Sequence, residues 1–323
     1  MKTVSIVAGG AGFVGANLIP ALLARGHAVV VADNYCRGNP SNLQSLRDSP
    51  DLHLVEVDLS ARQAVRKLFE DTTKLGKLVD VWHLAANSDI PAGVMNSDVD
   101  FKDTFQTTFE LLRAMCDFEV GTLHFASSSA VYGDMGEQRL HEAIGPLLPI
   151  SNYGAMKLAS EAQASAAAES FLTRVNLFRF PNVVGIPATH GVILDFVNKL
   201  AKDPSVLRVL GDGTQQKAYL HVSDLVQAML LVADRRSDKK VELINIGPTD
   251  AGATVRWIAE RVVARVAPGA SIAYGQGNRG WVGDVPKFNY STDRIQSYGW
   301  QPTLDSEQAI ARAVDEIAAQ QGF

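Results

Sequence analysis

The first half of the chain alternates two hydrophobic patterns. Thr3–Ala8 (TVSIVA) and residues 28–32 (AVVVA) are nearly unbroken apolar runs, as expected of strands buried on both faces of a parallel sheet. Residues 53–57, 79–85, 122–127 and 174–180 read as further strands. Between them, residues 16–25, 62–70, 99–118 and 153–170 read as helices, and a polar stretch from Asp33 to about Pro50 reads as a loop. Repeated strand–helix alternation predicts an α/β fold, a Rossmann-like doubly wound parallel sheet with its ligand at the C-terminal ends of the strands. The second half is less regular, with helices near 192–202, 222–233 and 253–266 among short strands and glycine turns. It predicts a smaller C-terminal α/β substrate lobe. The expected division is a nucleotide domain over 1–180, with later segments near 215–247 returning to it, and 181–323 mainly a lobe that closes over the ligand.

Composition narrows the function classes. The chain has 323 residues, 46% hydrophobic and 20% charged, which is ordinary for a globular protein. Net charge is −5 and no long Lys/Arg run stands out, so nucleic acid and anionic membranes have no electrostatic claim on it. Cys36 and Cys116 are too few for a disulfide framework, and a reducing cytoplasm fits them. His124, His141, His190 and His221 show no ligand spacing, so no metal site is expected. The apolar N-terminus reads as a strand rather than a signal peptide, and no stretch approaches the ~20 apolar residues of a membrane span.

Two constellations carry chemistry. Directly after the first strand, Gly10, Gly12 and Gly15 satisfy G-x-G-x-x-G, Gly9, Gly12 and Gly15 satisfy G-x-x-G-x-x-G, and a helix follows. Glycine there turns the chain tightly, lets a pyrophosphate approach the backbone, and packs helix on strand. The helix start offers free N–H groups to phosphate. The second strand ends in Asp33, 18 residues beyond Gly15, where a carboxylate can accept from both ribose hydroxyls and repel a 2′-phosphate. That favours NAD over NADP, although Arg37 lies four residues on. The second constellation is Tyr153 and Lys157, which share a helix face at i and i+4, together with the cluster Ser127-Ser128-Ser129. A free tyrosine titrates near pH 10, and a neighbouring cation favours its phenolate. Ser128 is placed to bond the same substrate oxygen. Phe101, Phe105 and Phe109 line one helix face, for which core packing is the first reading and subunit contact the second.

With these residues in hand, the chain resembles the extended short-chain dehydrogenase/reductase family, and within it the nucleotide-sugar 4-epimerases. The resemblance runs from the glycine loop through Asp33-Asn34, Asp58-Leu59, His83-Leu84-Ala85-Ala86, the serine cluster, Tyr153-x-x-x-Lys157 and Arg179-Phe180-Pro181-Asn182. It continues in Gly211-Asp212-Gly213-Thr214-Gln215, Tyr219-Leu220-His221 and Asn245-x-Gly247. It implies that NAD is held by Gly9, Gly12, Phe13, Val14, Gly15, Asp33, Asn34, Asp58, Leu59, Leu84, Ala85, Ala86, Ser127, Tyr153 and Lys157. It makes Tyr153 the base, Lys157 the residue that binds the nicotinamide ribose and lowers the tyrosine pKa, and Ser128 the partner of the sugar 4-oxygen. Substrate contacts would include Ser129, Asn182, Lys217 and Arg279 near the diphosphate, Val192 and Phe196 at the uracil, and Asp284 and Phe288 in the last loop. Phe288 would exclude an N-acetyl group, so that UDP-glucose and UDP-galactose are preferred. The family's pairing through two long helices implies a homodimer. Three departures stand out: Lys217 and Ala218 where the family has Arg and Asp, Arg279 five rather than three residues before Asp284, and Thr104 and Thr107 in place of Asn and Gly.

Three reactions compete. A redox-neutral epimerase needs only the Ser/Tyr/Lys set and NAD. A 4,6-dehydratase also needs the Asp-Glu that its relatives carry after the catalytic Ser/Thr, and here those positions are Ser129 and Ala130. A reductase, a decarboxylase or a UDP-glucuronate epimerase shares most of the residues. A non-catalytic NAD-binding protein is argued against by the intact set.

Overall fold

The apolar runs form parallel strands, and Gly9, Asp33, Leu84 and Ser127 stand at or just past their C-terminal ends. In the computed structural model, which describes residues 1–136, 138–277 and 289–323, the strands are β1 (Thr3–Ala8), β2 (Ala28–Asp33), β3 (Leu52–Glu56), β4 (Lys77–His83), β5 (Thr122–Ala126) and β6 (Arg174–Arg179). They alternate with helices that include α1 (Phe13–Ala24), α2 (Arg62–Thr72), α3 (Thr107–Asp117) and α4 (Asn152–Ser170). β7 (Val241–Asn245) returns from far along the chain, giving the order β7-β6-β5-β4-β1-β2-β3. β1 to β6 pair in parallel. β7 joins beside β6, where the Val175 N–H donates to the Lys240 carbonyl. Strand order reverses between β1 and β4, the point at which doubly wound sheets open a crevice for a ligand.

Burial explains the unbroken apolar runs. Every residue of β2 is buried, and so is every residue of β1 after Thr3. On one face Val4, Ile6 and Val30 pack with Val65 and Phe69 of α2, Leu111 and Met115 of α3, and Ala164 and Ala168 of α4. The alanines of α4 let its backbone lie close to the sheet. Its start is fixed by Ser151, whose hydroxyl accepts from the Gly154 N–H at 3.1 Å. That cap sets the register in which Tyr153 and Lys157 are presented.

The stretch expected as one helix over 99–118 is composite. A short helix Ser97–Asp100 leads into a π-helical turn Phe101–Gln106 and then α3. Phe101 and Phe109 are 50% and 40% exposed, so core packing does not hold for these two rings. The polar loop after β2 contains a 3-10 turn, Pro40–Leu46.

Contacts divide the chain into two compact units: residues 1–133, 146–179 and 229–244 in the first, and 134–145, 180–228 and 245–323 in the second. The second is built on helices Val192–Lys202, Val255–Val266 and Ser306–Gln320, packed through Ile193, Phe196, Val197, Ile258, Val262, Ile310 and Val314. The last of these helices is absent from the elements expected above. It opens at a capping box formed by Asp305 and Gln308. Among the described residues no helix is long and apolar enough to cross a membrane, and no acidic, His or Cys cluster could hold a metal.

Candidate active site

The glycine loop after β1 leaves no room for side chains on two of its sides. A Cβ at Gly9, where φ is +77°, would lie 2.7 Å from the Ala85 nitrogen. A Cβ at Gly15 would lie 2.5 Å from the Gly10 Cα. The first contact joins the loop to the end of β4 at the switch point, and the second seats α1 against the turn. Gly12 differs: a Cβ there would meet only the Gly9 carbonyl, at 3.2 Å. Gly12 is also the N-cap of α1 and makes no side-chain cap, so no side chain occupies the helix start at Phe13, Val14 and Gly15. An anion fits there.

Asp33 closes β2 and is 6% exposed. Its Oδ2 accepts from the Ala11 N–H at 3.0 Å and its Oδ1 from the Tyr35 N–H at 2.9 Å. Burial raises its carboxyl above the usual range despite those bonds. The Asn34 backbone bonds the carboxylate as well, so of the roughly four acceptor directions of its two oxygens one is left for a ribose hydroxyl. Arg37, the residue suited to a 2′-phosphate, is instead paired with Asp89 at 2.8 Å. Asp58, after β3, accepts from the Ser60 hydroxyl at 2.6 Å and pairs with Lys102 at 3.0 Å. Burial opposes the shift, but these bonds together hold Asp58 below its ordinary pKa. Leu59 is buried beside it, while Leu84, Ala85 and Ala86 are half-buried past β4.

At the end of β5 the serine cluster meets α4. The Ser128 hydroxyl accepts from the Ala130 N–H at 3.1 Å, and its side chain is near enough to Tyr153 to lower the tyrosine pKa. Lys157, one turn on and 2% exposed, donates from Nζ to the Ala126 carbonyl at 2.5 Å and sits 4.7 Å from the Phe125 ring centroid. Burial pushes Lys157 down to about 7. It pushes the half-buried Tyr153 up to about 12, with Ser128 opposing and Asp100 adding to the rise. In this ligand-free state Lys157 Nζ lies 5.9 Å from the Tyr153 ring centroid, and burial of the phenol sets the direction of its shift. The ammonium turns to a carbonyl and a ring, and desolvation of the phenol dominates. Ser129 is 8% exposed within the turn Ser129–Tyr132.

Glu161, Asn87, Asp100 and the contacts made by Ser127, Arg179 and His83 escaped the sequence reading. Ser127 donates to Glu161 at 2.5 Å, and Glu161 is bound by Arg179 at the end of β6. His83 is fully buried against Thr108 at 2.9 Å and is pushed down to about 3 by burial and by Lys157. Asp100 is buried and accepts from Asn87. A side chain at Gly93 would collide with its other oxygen. The pairs Asn87–Asp100, His83–Thr108 and Ser127–Glu161 lie 13, 25 and 34 positions apart and carry no motif spacing, so only Glu161, at i+4 from Lys157, gave a signal.

The remaining candidates belong to the second unit. Asn182 is exposed and opens the strand Asn182–Val184, which pairs with Tyr219–His221. Lys217, in the strand Gln216–Lys217, pairs with Ala253–Thr254 and is half-buried. Phe196 is 3% exposed, inside the apolar cluster of that unit, with Val192 packed against it. Asp212 ties Thr214 at 2.6 Å, and Asn245 donates to the Leu140 and Ser291 carbonyls, so these motif residues build turns. Arg279, Asp284 and Phe288 lie outside the described residues.

Comparison with known proteins gives the arrangement its context. Residues 5–247 match the NAD dependent epimerase/dehydratase family. The chain belongs to that family. A crystal structure of a UDP-galactose 4-epimerase is 32% identical, with 99% of this chain and 100% of that one covered and a TM-score of 0.84. The UDP-glucose 4-epimerase of Thermus thermophilus, in complex with NAD, is 27% identical over 97% of this chain and 98% of that one, with a TM-score of 0.83. A UDP-glucose 4-epimerase of Corynebacterium glutamicum is 28% identical, over 92% of this chain and 90% of its own. Relatives named for other sugars match as well, such as a UDP-glucuronate 4-epimerase of Thermodesulfobacterium geofontis, 24% identical over 96% of this chain and 94% of its own.

The chain is thus an NAD-dependent enzyme of the epimerase family, and its residues fit that cofactor. The helix start at Gly12, which carries no side-chain cap, suits the pyrophosphate, and the carboxylate of Asp33 at the end of β2 suits the adenosine ribose. Lys157 uses one of its three protons on Ala126, which leaves two buried donors for the second ribose.

Proposed function

We propose that the chain is a nucleotide-sugar 4-epimerase that interconverts UDP-glucose and UDP-galactose. The observation that carries this reading is that Tyr153 and Lys157, one helical turn apart on α4, meet the serine cluster at the end of β5, at the strand ends that also bear the glycine loop. NAD, when bound, supplies reversible hydride acceptance at sugar C4. Ser128 holds the 4-oxygen, and Tyr153 takes the hydroxyl proton and later returns it. Free of ligand, Tyr153 keeps its own proton, since its pKa stands at about 12. The neighbouring Ser128 side chain lowers it. Lys157, near 7, contributes to the phenolate only in its cationic form. In this reading Asn182 and Lys217 serve the diphosphate, and Val192 and Phe196 the base.

Two observations favour epimerisation over dehydration. Ala130 can donate no proton, and Ser129 lacks the acidity of the aspartate found there in dehydratases. The glucose and galactose names among the relatives above support the choice of sugar. The deciding test is incubation of the purified protein with UDP-glucose and with its glucuronate and N-acetyl counterparts, products being read by nuclear magnetic resonance. UDP-galactose should form from UDP-glucose without net consumption of NAD. Conversion of UDP-glucuronate alone would overturn the sugar assignment, and a 4-keto-6-deoxy product would overturn the reaction.

A further inference from the structure

Residues 126 and 127 are tied to α4 at two successive levels, just before Ser128. The Ala126 carbonyl accepts from Lys157 at 2.5 Å, and the Ser127 hydroxyl donates to Glu161 Oε1 at 2.5 Å. Tyr153, Lys157 and Glu161 are each four residues apart and share one helix face. Glu161 is 5% exposed and is gripped by Arg179, with Nε to Oε1 at 2.9 Å and Nη2 to Oε2 at 2.5 Å. Arg179 in turn lies 4.8 Å from the Tyr132 ring centroid.

We propose that Glu161 is a positioning residue of the active site: held by Arg179, its carboxylate fixes Ser127 and thereby aligns Ser128 with the helix that carries Tyr153 and Lys157. Packing alone does not account for it. A buried ion pair returns little net stability, because desolvation offsets its attraction, and two apolar side chains would fill the space between β6 and α4 as well. An apolar pair would not hold the Ser127 hydroxyl. It would also not support the charge of Lys157, which burial pushes down and Glu161 pulls back up. The other titratable groups around Lys157 do not replace it. His83 on β4 stays neutral at pH 7, Tyr153 on α4 stays protonated, and Arg179 on β6 is cationic.

The proposal rests on Ser128, Tyr153 and Lys157 performing the chemistry proposed above. The test compares wild-type holoenzyme with Glu161→Gln and Ser127→Ala, measuring kcat and KM for UDP-glucose between about pH 6 and 10. Without the Glu161 charge, Lys157 loses its proton at lower pH, so the alkaline limb of kcat should move down by about one unit. At about pH 8 that lowers kcat about tenfold, with KM within about threefold of wild type. Ser127→Ala keeps the ion pair and should lower kcat several-fold without moving the limb. If Glu161→Gln fails to fold, Ser127→Ala decides. Full wild-type kcat in a normally melting Ser127→Ala, or an unmoved limb and kcat in Glu161→Gln, overturns the proposal while leaving the epimerase reading intact. A wild type that turns over no nucleotide sugar overturns both.

Discussion

In the proposed reaction Tyr153 removes a proton from a sugar, while its own surroundings hold it protonated. Burial sets its pKa at about 12, so a base at neutral pH depends on the groups that oppose burial, Ser128 foremost. Replacing the hydroxyl removes the acceptor and keeps the ring. Tyr153→Phe should therefore cost about 10²–10⁴ in kcat with an unchanged melting temperature, and near-normal turnover would refute the proposed chemistry. Lys157→Ala should weaken NAD as well as slow turnover, since its spare donors are the ones that suit a ribose. Cofactor choice also rests on single residues. Asp33→Ala removes the carboxylate that would repel a 2′-phosphate, and Arg37 is held away only by an exposed pair with Asp89. Such a pair is worth about 0–1 kcal/mol, little enough for a phosphate to reclaim the guanidinium. The Kd ratio of NAD to NADP by calorimetry should shift toward NADP by at least tenfold, or about 1.4 kcal/mol. Wild type binding NADP the tighter would sink the role given to Asp33.

The β1–α1 unit shows that glycines in one motif do different work. A Cβ at Gly15 would press on the Gly10 Cα at 2.5 Å, so Gly15→Ala must displace backbone and should destabilise the fold by roughly 1–3 kcal/mol. A Cβ at Gly12 meets only one carbonyl at 3.2 Å, yet it stands at the helix start. Gly12→Ala should melt nearly as wild type and bind NAD at least tenfold more weakly. Equal losses of stability in the two variants would contradict this division. The strand–glycine–helix pattern was legible because each of its signals is local: an apolar run, a turn, a carboxylate at a strand end. The short separations Tyr153–Lys157 and Ser127–Ser129 were legible for the same reason. Glu161 with Arg179, and His83 with Thr108, were not, because the packing of a helix on the sheet rather than sequence spacing brings them together. The π-helical turn at Phe101–Gln106 was hidden too, since its residues keep an ordinary helical composition. The helix Ser306–Gln320 was readable in principle from Asp305 and Gln308, whose capping box opens it.

For the whole molecule, assembly and pH response follow from what is exposed and what is buried. Phe101 and Phe109 present apolar rings, and α4 leaves Ala162, Ser165 and Ala166 exposed, a small-residue face suited to close helix contact. A homodimer through these helices is expected, and light scattering at micromolar concentration should give twice the monomer mass. Stability should depend on pH through three buried bases and acids. His83 is pushed down from 6.5 to about 3, so the unfolded chain binds its proton first as pH falls. Stability is then lost progressively below about pH 6.5, by up to about 5 kcal/mol near pH 3. Lys157 is pushed down from 10.5 to about 7, so between those values the unfolded chain holds the extra proton and stability rises with pH. Tyr153 is pushed up from 10.0 to about 12, so above 10 the unfolded chain loses its proton first and stability falls again. The optimum of the ligand-free protein should accordingly lie on the alkaline side of neutrality. His83→Phe isolates the acid limb. It keeps the ring contact with Phe125, and Thr108 still bonds Thr104 and Ser160. Urea unfolding at about pH 7 and about pH 4.5 should show a marked loss in wild type and a much smaller one in His83→Phe. The same loss in both would shift the acid sensitivity from His83 to the carboxylates.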